Sequence, residues 1–245
     1  MARFPSGRFS GLRNSGIDYS AQAGSPAVAA FFNAVYGWMA AGLGVTAVVA
    51  WYVSSRPDLL SQVYHSGMLI FLIIAELALV FIVSRAINAL SATAATALFL
   101  LYAALNGLTL SIIFLAYAQA TIASAFIACA ASFGVMSVYG MVTRTDLTRF
   151  GPLLFMALVG LVIALVVNAF LHNPAMEYAI SCIGVVLFVG LTAYDTQRLK
   201  QVAYSTAGDS AMASRLSVSG ALMLYLDFLN LFLFILEMMG NRQRR

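Results

Sequence analysis

Charge is what this 245-residue chain has least of: Asp, Glu, Lys and Arg make up 9% of it, against 62% hydrophobic residues. Soluble globular domains average about 25% charged residues, so the shortage excludes them and leaves a polytopic membrane protein. Cysteine is scarce too. Cys129 and Cys182 both fall inside apolar runs with no CxxC or Cys/His spacing, which excludes a disulfide framework and a zinc site. The signatures HExxH, GxSxG, GxxxxGKS/T and GxGxxG are all missing, so the chain is not expected to be an enzyme or to carry a cofactor. No fixed short period repeats along it. A net charge of +4 could suggest nucleic acid, but the 13 basic residues sit at the ends of apolar runs instead of clustering with aromatics on one face. No nucleic-acid partner is expected; the lipid bilayer is.

The chain does contain long apolar runs. A polar segment, residues 1–25, rich in Gly, Ser and Arg, has no apolar core of signal-peptide type and reads as a disordered cytoplasmic tail. Seven runs follow: Ala27–Val53, Gly67–Ala89, Ala92–Tyr117, Ile122–Val142, Gly151–Leu171, Ala175–Tyr194 extending to about Leu199, and Leu216–Met239. A bilayer crossing takes about 20 residues, so these runs consume the chain and residues 26–240 form a single transmembrane domain. Helices satisfy their own backbone hydrogen bonds in lipid, and the runs lack the alternation of barrel strands, so the fold class is all-α. The predicted breaks carry turn residues: Arg56-Pro57-Asp58, Arg144-Thr145-Asp146, Gly151-Pro152 and His172-Asn173-Pro174. The longest connection, Lys200 to Arg215, is polar and contains Gly208. Small-residue pairs such as Gly37 with Ala41, Gly160 with Ala164, and Gly184 with Gly190 predict close helix contacts.

Lys and Arg set orientation. Arg3, Arg8, Arg13, Arg85, Arg144, Arg149, Arg198, Lys200 and Arg215 fall on the side of the N-terminus, and Arg56 alone among the loops on the other, which predicts a cytoplasmic N-terminus. Arg242, Arg244 and Arg245 lie outside if the last run crosses and inside if it is re-entrant; its length favours a crossing.

Ionisable residues inside the runs are the candidates for function, because a carboxylate costs roughly +2.5 to +3.5 kcal/mol at mid-membrane even on lenient insertion scales. Asp195 ends the sixth run, Asp227 sits inside the last with no basic neighbour, and Glu76 sits inside the second. At roughly 100° per residue, Asp227, Asn230 and Glu237 fall at about 0°, 300° and 280°, one polar face that must avoid lipid. That places the last helix at the centre of the bundle. Asp195 has a plainer alternative, pairing with Arg198 at i,i+3, and Arg85 could be a snorkelling, topology-setting charge. Glu177, Glu237, His65 and His172 read as solvated boundary residues, and Trp38, Trp51 and Tyr52 as interfacial or packing residues.

The stretches Gly190-Leu191-Thr192-Ala193-Tyr194-Asp195-Thr196-Gln197 and Leu224-Tyr225-Leu226-Asp227-Phe228-Leu229-Asn230-Leu231-Phe232 together resemble the paired signature of the Bax inhibitor-1, or transmembrane Bax inhibitor motif, family in its bacterial branch. The likeness runs from about Ala27 to Met239. It implies a seven-helix bundle around the last helix, in the bacterial inner membrane, that leaks calcium in a pH-sensitive way. It also implies that Asp195 and Asp227 form a hydrogen-bonded proton sensor. Glu76 and Arg85 become the candidates for the second-helix glutamate and for the arginine that latches the first aspartate when the pathway is closed, with Glu76, Asp227 and Asn230 along the ion pathway. The runner-up role is a regulatory membrane protein that restrains a membrane-bound protease or stress-response partner. An intramembrane aspartyl protease is a distant third, since Leu224-Tyr225-Leu226 stands where a Gly-x-Gly should precede the second aspartate.

The physics of the pair stands beside the likeness. Two carboxyls within hydrogen-bonding distance in a poorly solvated site share a proton and titrate as a unit. Ionised, they offer the hard oxygen ligands that Ca²⁺ prefers, to be completed by water or backbone carbonyls, so Asp195 and Asp227 are also the candidate metal ligands. Depth is the difficulty. Asp227 lies about 16 Å into its run at 1.5 Å per residue while Asp195 lies near the end of its own, so they meet only if the sixth helix continues past Arg198 or the last begins later than Leu216.

Overall fold

The computed structural model describes residues 26–64, 67–86 and 91–243, with the side chains of 83–86 and 241–243 outside that description. The predicted tail, residues 1–25, and His65 lie outside the described residues. Every regular element among the described residues is a helix: α1 Pro26–Ser54, α2 Pro57–Tyr64, α3 Met68–Ala86, α4 Ala92–Leu110, α5 Ile113–Ala116, α6 Gln119–Val142, a 3₁₀ turn Leu147–Phe150, α7 Gly151–Leu171, α8 Pro174–Ser205 and α9 Ser210–Gln243.

Local chemistry sets the boundaries. The Ser91 side chain accepts from the Ala94 N–H at 3.1 Å to start α4. His172, at φ 52°, ends α7 in the left-handed conformation. Asn173 then accepts from the N–H groups of Ala175 and Met176 at 2.9 and 3.3 Å, and Pro174 opens α8 where its missing N–H has no partner to lose.

Among the described residues, six spans are long and apolar enough to cross a membrane: Pro26–Ser54, Ala92–Ala116, Gln119–Val142, Leu147–Leu171, Pro174–Ser205 and Ser210–Gly240. The second run of the sequence is α3; the short helix α2 precedes it, where only a break was expected, and the two are bent by 75°, so the count reaches seven if that pair makes one crossing.

One boundary reading is corrected. The polar stretch from Lys200 to Arg215 is mostly helix: α8 runs to Ser205 and α9 starts at Ser210. Hydropathy marks where a helix leaves hydrocarbon, not where it stops. Past that point α8 still buries Ala203, and Thr206 beyond it is also buried; Asp209 starts α9 by accepting from the Met212 N–H at 2.9 Å. The small-residue readings divide. A Cβ on Gly184 would meet the Phe234 ring at 2.6 Å, whereas nothing lies within 4 Å of one on Gly37 or Gly160, which face away from other helices.

Burial is uneven. In α9, 72% of the apolar window is buried, and the helix packs against α1, α4, α6 and α8. In α7 the figure is 6%, and its main neighbour is α8. α3 packs on α4 and α2.

Candidate functional site

α8 and α9 run antiparallel, and their contacts step in register. Glu237 lies beside Ser181, Phe234 stacks on Phe188 with ring centroids 5.8 Å apart, and Gly220 lies against Leu199. Asp195 and Asp227 fall at the same level of this ladder. They come together because the sixth helix continues past Arg198, the first of the two conditions their depth imposed.

Asp195 is 9% exposed and Asp227 5%, and a side-chain hydrogen bond joins the two carboxyls. Two ionised carboxylates cannot hydrogen-bond to each other, since both only accept. Asp227 Oδ2 is buried and has no donor among the described residues, so the two carboxyls can bond to each other only if one of them carries a proton. Arg198 is exposed and makes no direct ion pair with Asp195 among the described residues, although its charge acts on Asp195; burial beside Asp227 is the larger part of the Asp195 environment.

The signature around Asp195 is held rigidly. Thr192 and Thr196 donate to the carbonyls of Phe188 and Thr192, both at 2.7 Å. Gln197 donates to Thr145 O and accepts from the Leu147 N–H, both at 2.8 Å, and Lys200 Nζ donates to Met141 O at 2.7 Å. These bonds tie α8 to the end of α6. A Cβ on Gly140 of α6 would run into the Ala193 carbonyl, so only glycine allows α6 to lie against the Asp195 turn.

The family model described as inhibitor of apoptosis-promoting Bax1 matches residues 28–244, spanning both aspartates. The chain belongs to this Bax inhibitor family. It is 50% identical over 211 residues to the inner membrane protein YbhL of Escherichia coli (strain K12), covering 85% of this chain and 90% of that protein. It is 46% identical to an uncharacterized protein of Deinococcus radiodurans, over 88% of this chain and 92% of the relative. A third relative, an uncharacterized protein of Borreliella burgdorferi, is 42% identical over 87% and 92%.

Within this Bax inhibitor fold the other candidates stand apart from the aspartates. Glu76, half-buried on α3, accepts from Thr109 Oγ1 of α4 at 2.6 Å. Nothing among the described residues joins it directly to Asp195 or Asp227. Arg85 lies near the end of α3, and its side chain lies outside the described residues. Asn230 is partly buried and donates to Leu226 O of its own helix at 2.8 Å. Among the described residues no group of three or more His, Cys, Asp or Glu side chains could hold a metal ion.

Several polar residues of the interior escaped sequence reasoning. Thr46 donates to Ala103 O at 2.8 Å and lies 2.6 Å from the Tyr225 hydroxyl, linking α1, α4 and α9 two residues from Asp227. Ser181 donates to Glu237 at 2.6 Å, and Glu237 also hydrogen-bonds Glu177, so these two glutamates form a half-buried pair instead of two solvated boundary residues. Lone Thr and Ser in apolar runs carry no signal until their partners are known.

Proposed function

We propose that this protein is a pH-sensitive calcium leak of the bacterial inner membrane, gated by the proton shared between Asp195 and Asp227. The observation that carries the reading is the buried carboxyl pair itself: two acidic side chains meeting in a bundle interior, with Asp227 Oδ2 lacking a donor among the described residues. The α2–α3 pair counts as one crossing, giving seven, and the burial of α9 supports its place as the central helix. The bias of Lys and Arg supports a cytoplasmic N-terminus. Glu76, Asp227 and Asn230 mark the interior path. At alkaline pH the pair carries the negative charge that holds Arg85 and keeps the pathway shut. Acidification adds protons, removes that charge and releases α3.

Reconstitution tests this directly. Liposomes containing the purified protein alone should admit Ca²⁺ faster at mildly acidic than at alkaline pH. Flux that ignores pH removes the aspartate sensor. No flux at all, with the protein recovered bound to a membrane protease or stress-response protein, replaces the channel with the regulatory role.

A further inference from the structure

Three helices carry residues in step along their inner faces, three each on α8 and α9 and two on α1. On α8 the order is Ala203, Leu199, Asp195; on α9 it is Ser217, Gly220, Asp227; on α1, Phe31 is followed by Val35. Steps of three, four and seven residues keep each series on one side of its helix. At the outer end of these series, between α1, α8 and α9, is a cavity of about 430 Å³, lined by Phe31, Trp38, Ala203, Thr206, Ser214 and Ser217 among others. No charged side chain lines it. Ser217 and Thr206, each 2% exposed, lie in its wall with their hydroxyls bonded to backbone carbonyls, Ser217 to Ser214 O at 2.8 Å and Thr206 to Val202 O at 2.9 Å, while Ser210 and Ser214 line its exposed side. Such a cavity has both the room and the polar partners that water needs.

One turn deeper the helices close. Val35 is 0% exposed and Leu199 3%. A Cβ on Gly220 would lie 2.7 Å from Leu199 Cδ2 and 3.3 Å from Val35 Cγ2, so the glycine lets two aliphatic side chains fill the gap between α1, α8 and α9. Beyond this layer Leu224, 0% exposed, follows on α9, and then come the aspartates. Asp195 is four residues past Leu199, about 6 Å along the helix.

We propose that the cavity is a water-filled inner vestibule and that the Val35–Leu199–Gly220 contact is an apolar seal separating its water from the Asp195–Asp227 pair. An apolar constriction of this kind blocks ions by excluding water and needs no bound charge to do so. The proposal rests on the ion-leak reading, because a seal matters only where a path exists. It adds a closure distinct from the aspartates, on the side of the bundle where α8 leads into α9.

Cysteine accessibility tests it without relying on flux. In a full-length Cys129→Ala, Cys182→Ala background, Ser217→Cys and Thr206→Cys should react with a small charged methanethiosulfonate added to membranes open on that side, and Leu224→Cys should not. Adding Leu199→Ala should make Leu224→Cys reactive, and Val35→Ala should do the same should the Leu199 variant fail to fold. Leu199→Met, of similar volume, should keep Leu224→Cys protected. A protected Ser217→Cys overturns the vestibule. Leu224→Cys reacting equally with and without Leu199→Ala overturns the seal. Ca²⁺ flux through the parent protein in liposomes is read separately: its absence rejects the leak while the labelling pattern still decides the vestibule.

Discussion

α7 and α9 are both long apolar helices, yet 6% of the first is buried and 72% of the second. The more hydrophobic of the two is the one left outside. α7 carries no ionisable residue between Gly151 and Leu171, and it exposes Leu153, Phe155, Met156 and Ile163. α9 contains Asp227 and Glu237 and packs against four helices. In water, apolar residues mark the interior. In a bilayer lipid tails are as apolar as leucine, so what separates inside from outside is polar groups that lipid will not accept and shape that fits neighbouring helices.

The largest effect should come from packing in α9 set against α7. Phe228 meets the rings of Phe126 and Phe133 edge-on at 5.5 and 5.4 Å. Phe228→Ala should lower stability by about 3 kcal/mol, whereas Ile163→Ala on α7 should stay within about 0.5 kcal/mol. Equal shifts in thermal midpoint in detergent would erase the distinction between the two helices.

Charge comes next. Asp227→Asn keeps the shape and removes the ionised carboxylate, so the variant should fold as well as the parent while the pH dependence of Ca²⁺ flux flattens. Asp195→Asn should flatten it too, by removing the charge that Arg85 needs. A collapse of stability with flux per folded molecule unchanged would make Asp227 a structural hydrogen-bonding residue and favour the regulatory role.

A smaller loss should follow Thr46→Val, which leaves the Tyr225 hydroxyl and the Ala103 carbonyl without their partner and should cost about 1 kcal/mol. A neutral result would mean that water enters beside Tyr225. Smallest should be Asn173→Ala, which removes the exposed cap between α7 and α8 and should cost about 0.5 kcal/mol. A larger effect, measured by the same thermal unfolding, would indicate that the α7–α8 turn holds more than its own helix end.

How far the site could be read from sequence depended on the residue. Asp195 and Asp227 stood out because an ionisable group in an apolar run is costly whatever surrounds it. Gln197 did not, since a glutamine near a helix end is ordinary until its bonds to Thr145 and Leu147 are seen. Glu177 and Glu237 read as two separate boundary charges, because 60 residues of sequence hide the antiparallel register that pairs them. The ends of α8 and α9 were misplaced for a different reason: hydropathy reports the thickness of hydrocarbon, and both helices extend past it.

By itself the sequence determined that this protein lives in a bilayer, that its spans are helical, where most of them begin and end, and which carboxyls demand an explanation. Those properties are local, set by the free energy of each residue in lipid and by the backbone's need to satisfy its own hydrogen bonds. The tertiary structure decided how much of each helix is buried, the register that brings Asp195 level with Asp227, and the packing of Leu199 against Gly220 and Val35. These depend on the register between helices, which arises from the fit of small against large side chains across residues far apart in the chain.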